Sequence, residues 1–154
     1  MSRATAHRRQ ASGQALIESA IVIPILFAMF LGFLALGVAA QSYVDLNTAV
    51  NLAAASAVTA PANSPAVAQG YATDTYDVTL SHFPLLSTNG TVRCFPVNGA
   101  WGPTGDPPQP WPVTCTGSAY LRFSRTALAV VVPVDPLISA TATADGSPYR
   151  SSGP

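Results

Sequence analysis

Apolar positions are concentrated near the N-terminus of the chain. From Ala20 to Ala40 there are 21 residues without a charge, and only Pro24, Gly32 and Gly37 fall outside the apolar set. A helix of that length rises about 32 Å, enough to cross a hydrocarbon core of about 30 Å. One membrane crossing is therefore predicted. After Gln41 the pattern becomes amphipathic. Tyr43, Leu46, Val50, Ala53 and Ala57 recur at helical spacing, while Asp45, Asn47, Thr48 and Asn51 fall mainly on other faces. Glycine and proline are absent until Thr59-Ala60-Pro61, where the residue before proline is pushed out of the helical region. The pattern predicts one rod from Ala15 to about Thr59, roughly 68 Å long. Pro24 lies inside it and removes one backbone hydrogen bond, so a kink or a loosened turn is expected about one turn into the membrane.

Past Pro61 the alternation shortens. Asn63, Ser64 and Pro65 mark a loop from Ala62 to Gly70; Tyr76, Val78 and Leu80 then alternate with Asp77, Thr79 and Ser81 as in a half-buried strand. Asn89-Gly90 is a turn signal, followed by a short strand at Thr91 to Phe95. Pro103, Pro107, Pro108, Pro110 and Pro112 make 96–117 a loop, because so many fixed φ angles do not suit a sheet interior. Further strands are expected at Tyr120 to Arg125, at Ala127 to Val132, and where Ile138, Ala140, Ala142 and Ala144 alternate. The expected fold class is α+β: a membrane-spanning helix continuing as an amphipathic stem, packed by an antiparallel sheet of four or five strands. Burial of Tyr76, Val78, Leu121, Phe123 and the run Val130 to Val132 against the stem should stabilise that sheet. The expected divisions are a basic leader at 1–13, the transmembrane and stem helix at 14–60, a small β-rich domain at 61–145 and a disordered tail at 146–154.

Charge fixes the orientation. Over 154 residues the formal net charge is zero. Lysine is absent, and Arg3, Arg8 and Arg9 precede Gly13 with no acidic residue among them. Positive residues beside a first membrane segment stay in the cytoplasm, so the N-terminus is expected inside and everything after Gln41 outside. Without a basic face the chain does not read as a nucleic-acid binder. A cleaved secretory signal competes with this reading, since Val38-Ala39-Ala40 before Gln41 offers the small residues such a site needs. The apolar run is longer than the usual signal core of roughly 7 to 15 residues. Glu18, the only glutamate, stands two residues before the run. A carboxylate there requires a partner or a shallow seat, since forcing it to the bilayer centre costs about 2.5 to 3.5 kcal/mol. Ala28 with Gly32, and Ala35 with Ala39, form small-xxx-small pairs that permit close helix approach.

A basic head, Gly13 followed by Gln14-Ala15-Leu16-Ile17-Glu18, an apolar run with an early Ile23-Pro24, and a long stem together resemble the TadE-like family. These are pilin-related proteins of the tight-adherence (Tad, or Flp) branch of the type IV pilus machinery. The resemblance covers about residues 10 to 60. It implies a pseudopilin or minor pilin whose leader is cut by a membrane aspartyl prepilin peptidase between Gly13 and Gln14, leaving Glu18 fifth in the mature chain. The implied partners are the membrane, other pilin-like subunits and the pilus assembly platform. The new amine at Gln14 and the carboxylate of Glu18 on a neighbouring subunit would then attract in a low-dielectric bundle.

Cys94 and Cys115 flank the proline-rich loop. If both face an oxidising space, a disulfide between them is the simplest reading, worth roughly 3 kcal/mol in the chain-entropy model; free thiols and intermolecular pairing are the alternatives. Trp101 and Trp111 lie in the same loop, either as packing residues or as an adhesive or subunit-contact tip. Catalytic signals are few. His82 is the one histidine past the head, Cys94, Cys115 and His82 are one ligand short of a closed zinc centre, and Asp74 and Asp77 read as solvated. Asn89-Gly90-Thr91 matches a glycosylation sequon. No cofactor is implied, and the chain reads as a non-enzyme. Two alternatives to the pilin-like function stay open: a permanent signal-anchor carrying an envelope binding domain that enters no filament, and a module secreted after cleavage at Ala40.

Overall fold

The structure is a computed structural model that describes residues 3–60, 64–102, 111–130 and 132–146, with side chains from residue 16 onward. The chain forms two compact units, Met1–Gly37 and Val38–Pro154. Helix α1, Arg3–Thr59, supplies the described part of the first unit and the stem of the second. It runs unbroken through Pro24, starts well before the predicted Ala15, and ends at the predicted Thr59. The tail 147–154, the head residues Met1 and Ser2, and Pro103, Pro107, Pro108 and Pro110 lie outside the described residues.

In the second unit two helices cover one face of a three-stranded antiparallel sheet ordered β1-β2-β3, with β1 Thr91–Pro96, β2 Trp111–Tyr120 and β3 Leu137–Gly146. The stem buries Leu46, Ala49, Val50, Ala53, Ala54 and Ala57, each 4% exposed or less. The predicted stripe shifts by part of a turn: Ala49 and Ala54 join it, and Tyr43, 51% exposed, leaves it. Thr48, Asn47 and Asn51 stay on the wet side, bonding along the helix.

The largest correction concerns residues 65–81, Ala62 and Asn63 lying outside the described residues. Helix α2 spans Pro65–Ser81, where a loop and a strand were expected. Ala68, Ala72, Tyr76 and Leu80 are buried at a spacing of four, while Val78 is 61% exposed. The stripe of small alanines overrides the two-residue alternation, and Pro65 occupies the first turn, where its missing N–H costs nothing.

The sheet has three strands among the described residues, not four or five. Residues 111–117, expected as loop, belong to β2, with Pro112 next to the strand's start, where a missing donor is tolerated. Between Tyr120 and Leu137, among the described residues, Leu121 alone bridges, to Leu86; where strands were expected at 120–125 and 127–132 the chain forms 3₁₀ turns at Phe123–Arg125 and Ala127–Val130, and Val131 lies outside the described residues. Phe123 and Leu121 are buried as expected, but Val130 is 87% exposed. The strand at 138–144 forms as read, within β3, with Ala140 and Ala142 facing the core.

The helical layer and the sheet touch most closely at Gly117. A Cβ there would lie 2.5 Å from Val50 Cγ2 and 2.9 Å from Tyr76 Cε2, so only glycine lets β2 approach α1 and α2 this closely. Tyr76, fully buried, donates its hydroxyl to Ser118 O at 3.0 Å. Burial, with a smaller contribution from the Asp77 carboxylate, pushes its phenol up to about 12.

Candidate membrane-anchor and assembly site

Every side chain from Leu16 to Phe30 is exposed within this chain. Among them Leu16, Ile17, Ile21, Ile23, Phe27 and Phe30 expose from 58% to 71% of their area. A surface this apolar on all sides belongs to a helix immersed in lipid or packed among other helices. Within the described residues α1 is the one helix long and apolar enough to cross a membrane, which fits a single-pass membrane protein.

Gly13 and Gln14, the expected processing site, lie inside the first turns of α1. Glu18 follows on the same helix with an exposed side chain. Residues three and four apart share a helical face, so Glu18 heads a stripe continued by Val22, Ile25 and Met29, all exposed and apolar. Beside Gly32 and Gly37 a Cβ would meet nothing within 4 Å, so within this chain both glycines border open space. Gly13, Gln14 and Glu18 thus stand on adjoining turns of one helix.

In the second unit Cys94 and Cys115 form a disulfide, with Cα atoms 4.0 Å apart. They are direct cross-strand partners in β1 and β2, and both are buried. The bond clamps the core face of the sheet where the stem and α2 rest. Trp101 and Trp111 line one small pocket with Ala57 and Val58 of α1 and Ala68 of α2, and the Trp111 indole fills the space over Gly146.

Reasoning from the sequence passed over Gln69. Its Nε2 donates to Val92 O at 2.8 Å, and Cys94 N–H donates to its Oε1 at 3.0 Å. One carboxamide thereby satisfies the outer edge of β1 as a neighbouring strand would, and Thr73 braces it by accepting from Gln69 Nε2 at 3.2 Å. The pairing joins residues more than twenty apart, beyond the reach of local pattern. Beside it a groove of about 440 Å³ is lined by Gln69, Thr73, Thr91, Val92, Arg93 and Phe95.

Among the described residues no cluster of three or more His, Cys, Asp or Glu could hold a metal ion. His82 is exposed and bonds Val78 O at 2.8 Å, closing the end of α2. Asp74 and Asp77 are exposed on α2, as expected.

Comparison with known families finds a match over residues 13–55 to the family described as TadE-like protein. The match covers less than half of the chain. It begins at Gly13, takes in Glu18 and the apolar run, and ends in the stem. TadE-like proteins are a pilus-component family and not an enzymatic one. No curated protein and no solved structure matches the chain.

Proposed function

We propose that this is a pseudopilin or minor pilin of a Tad/Flp pilus system, anchored by α1 with its N-terminus in the cytoplasm and its second unit outside. In this reading a prepilin peptidase cuts between Gly13 and Gln14, and the mature helix joins other pilin-like subunits at the assembly platform, for adhesion or secretion. One observation carries it: a match to the TadE-like family that begins at Gly13, with Glu18 five residues on, just before a stretch of α1 that exposes apolar side chains on every side.

The chemistry supports the arrangement. A carboxylate at the edge of an apolar helix is costly alone and favourable beside a cation. Peptidase cleavage would create that cation, the Gln14 amine, and would remove the arginines that hold the head in the cytoplasm.

The test is Glu18→Ala in the native host, with membrane insertion and piliation read separately. Normal insertion with reduced piliation is expected. Normal piliation would overturn the assembly role of Glu18. An abundance and location unchanged when the pilus system is deleted, together with an uncut leader, would favour the permanent anchor.

A further inference from the structure

Two Asn-Gly dipeptides flank β1, Asn89-Gly90 before it and Asn98-Gly99 after it. Both asparagines are exposed. Such a dipeptide carries a latent reaction, because glycine has no side chain to keep its amide nitrogen away from the asparagine carboxamide. The glycine nitrogen gives up its proton and bonds to Cγ, the bond from Cγ to Nδ2 breaks, and ammonia leaves with that proton. Water then opens the resulting succinimide at either carbonyl. Opening at Cγ yields aspartate, and opening at the main-chain carbon yields isoaspartate, with the chain rerouted through Cβ and Cγ. Ring closure requires the peptide between the two residues to rotate, so the fold decides whether it happens.

The fold treats the two dipeptides differently. At Gly90 an added Cβ would lie 2.6 Å from Ser118 O, 3.0 Å from Leu80 Cδ1 and 3.0 Å from Tyr76 Oη. Leu80 and Tyr76 are fully buried, and Tyr76 is itself bonded to Ser118 O. The next residue, Thr91, is paired with Ser118 across the sheet. Rotation at Gly90 therefore presses on groups that have no room to move. At Gly99 a Cβ would meet nothing within 4 Å, and the backbone holds a φ of 74° in an exposed turn. Val97 N–H still donates to Pro112 O at 2.8 Å, but Gly99 N–H reaches Pro96 O only at 3.3 Å, longer than an ordinary N–H···O bond. The reacting nitrogen is loosely held and the space around it is open.

We propose that Asn98-Gly99 is a site of spontaneous modification by water, which converts Asn98 to aspartate and isoaspartate in the folded protein, while packing at Gly90 protects Asn89. The reaction needs no enzyme. It gives a chain of zero formal net charge one negative charge at an exposed turn just before Trp101, so that older copies differ from new ones.

The test holds the full-length protein in mild detergent at slightly alkaline pH in heavy-oxygen water, with samples taken over time. Cleavage after Arg93 puts the two asparagines on separate peptides. Mass spectrometry reads the replacement of NH2 by OH and the heavy oxygen taken from water, and an isoaspartate-specific methyltransferase reads the rerouted chain. Asn98 is expected to react at least about tenfold faster than Asn89, a barrier difference of about 1.4 kcal/mol. In denaturant the two rates should converge, because the fold and not the dipeptide sets the difference. Asn98→Ser should remove the isoaspartate signal of the folded protein and leave its denaturant midpoint unchanged. Equal rates in the folded protein would overturn the proposal, as would a faster reaction at Asn89 or a rate ratio that persists in denaturant. So would an unreacted Asn98 over the time in which the denatured chain is converted.

Discussion

Replacing Gly117 by alanine tests the packing of helices on sheet through the sign of its effect. Glycine inside a strand is normally a weakness, and at an open position Gly→Ala gains about 0.5 to 1 kcal/mol. At Gly117 the added carbon would stand 2.5 Å from Val50 Cγ2 and 2.9 Å from Tyr76 Cε2, well inside van der Waals contact. Both neighbours are fully buried and have no free side to move toward. Overpacking of this kind costs about 1 to 3 kcal/mol, so the variant should be destabilised by about 1 to 2 kcal/mol after the strand gain is subtracted. Denaturant unfolding of the full chain in mild detergent reads this directly. The protein has two tryptophans, Trp101 and Trp111, both in the second unit, so their fluorescence follows that unit alone. Val50→Ala should itself cost about 2 kcal/mol from two lost methyl groups and the cavity they leave. In that background Gly117→Ala should cost much less, with a coupling of about 1 kcal/mol or more. A stabilising Gly117→Ala, or strictly additive effects, would refute the contact of β2 with the stem.

Three further outcomes follow from the second unit. Reducing the Cys94–Cys115 disulfide, or replacing both residues by alanine, should lower its stability by about 3 kcal/mol, read as a lower denaturant midpoint. Because the Tyr76 phenol is raised from 10.0 to about 12, the folded state keeps a proton that the unfolded chain releases. Its contribution is therefore complete below pH 10 and lost between pH 10 and about 12, and Tyr76→Phe should flatten that alkaline loss in pH-dependent unfolding. Gln69→Ala should free the edge of β1, speeding hydrogen exchange at the Cys94 amide and promoting self-association; unchanged exchange there would contradict the edge role of the carboxamide.

How much was legible in the sequence depended on the range of the signal. The long apolar helix was readable because a run of 21 residues from Ala20 to Ala40 meets a fixed physical length, and the resemblance to the TadE-like family because it lies in the spacing from Gly13 to Glu18 and the run that follows. The stem was readable except for its phase, since alanines at 49 and 54 carry little hydrophobic contrast. Alanine also hid α2, whose buried face is Ala68, Ala72, Tyr76 and Leu80; the larger Tyr76, Val78 and Leu80 imitated a strand. Residues 127–130 have β-type composition, but their chain lies past the end of the sheet, and Val130 points to solvent. The disulfide was legible from two cysteines and a compartment. Gln69 was not, because its role exists only once α2 and β1 are side by side.

The central claim is that Gly13 ends a leader and Glu18 serves the mature helix in assembly. Mass spectrometry of the mature N-terminus, on protein from the native host's membranes, tests it most directly. A chain starting at Gln14, with or without methylation, is the predicted result. A chain starting at Met1 or Ser2 would contradict peptidase processing, and one starting at Gln41 would remove the membrane helix from the mature protein altogether.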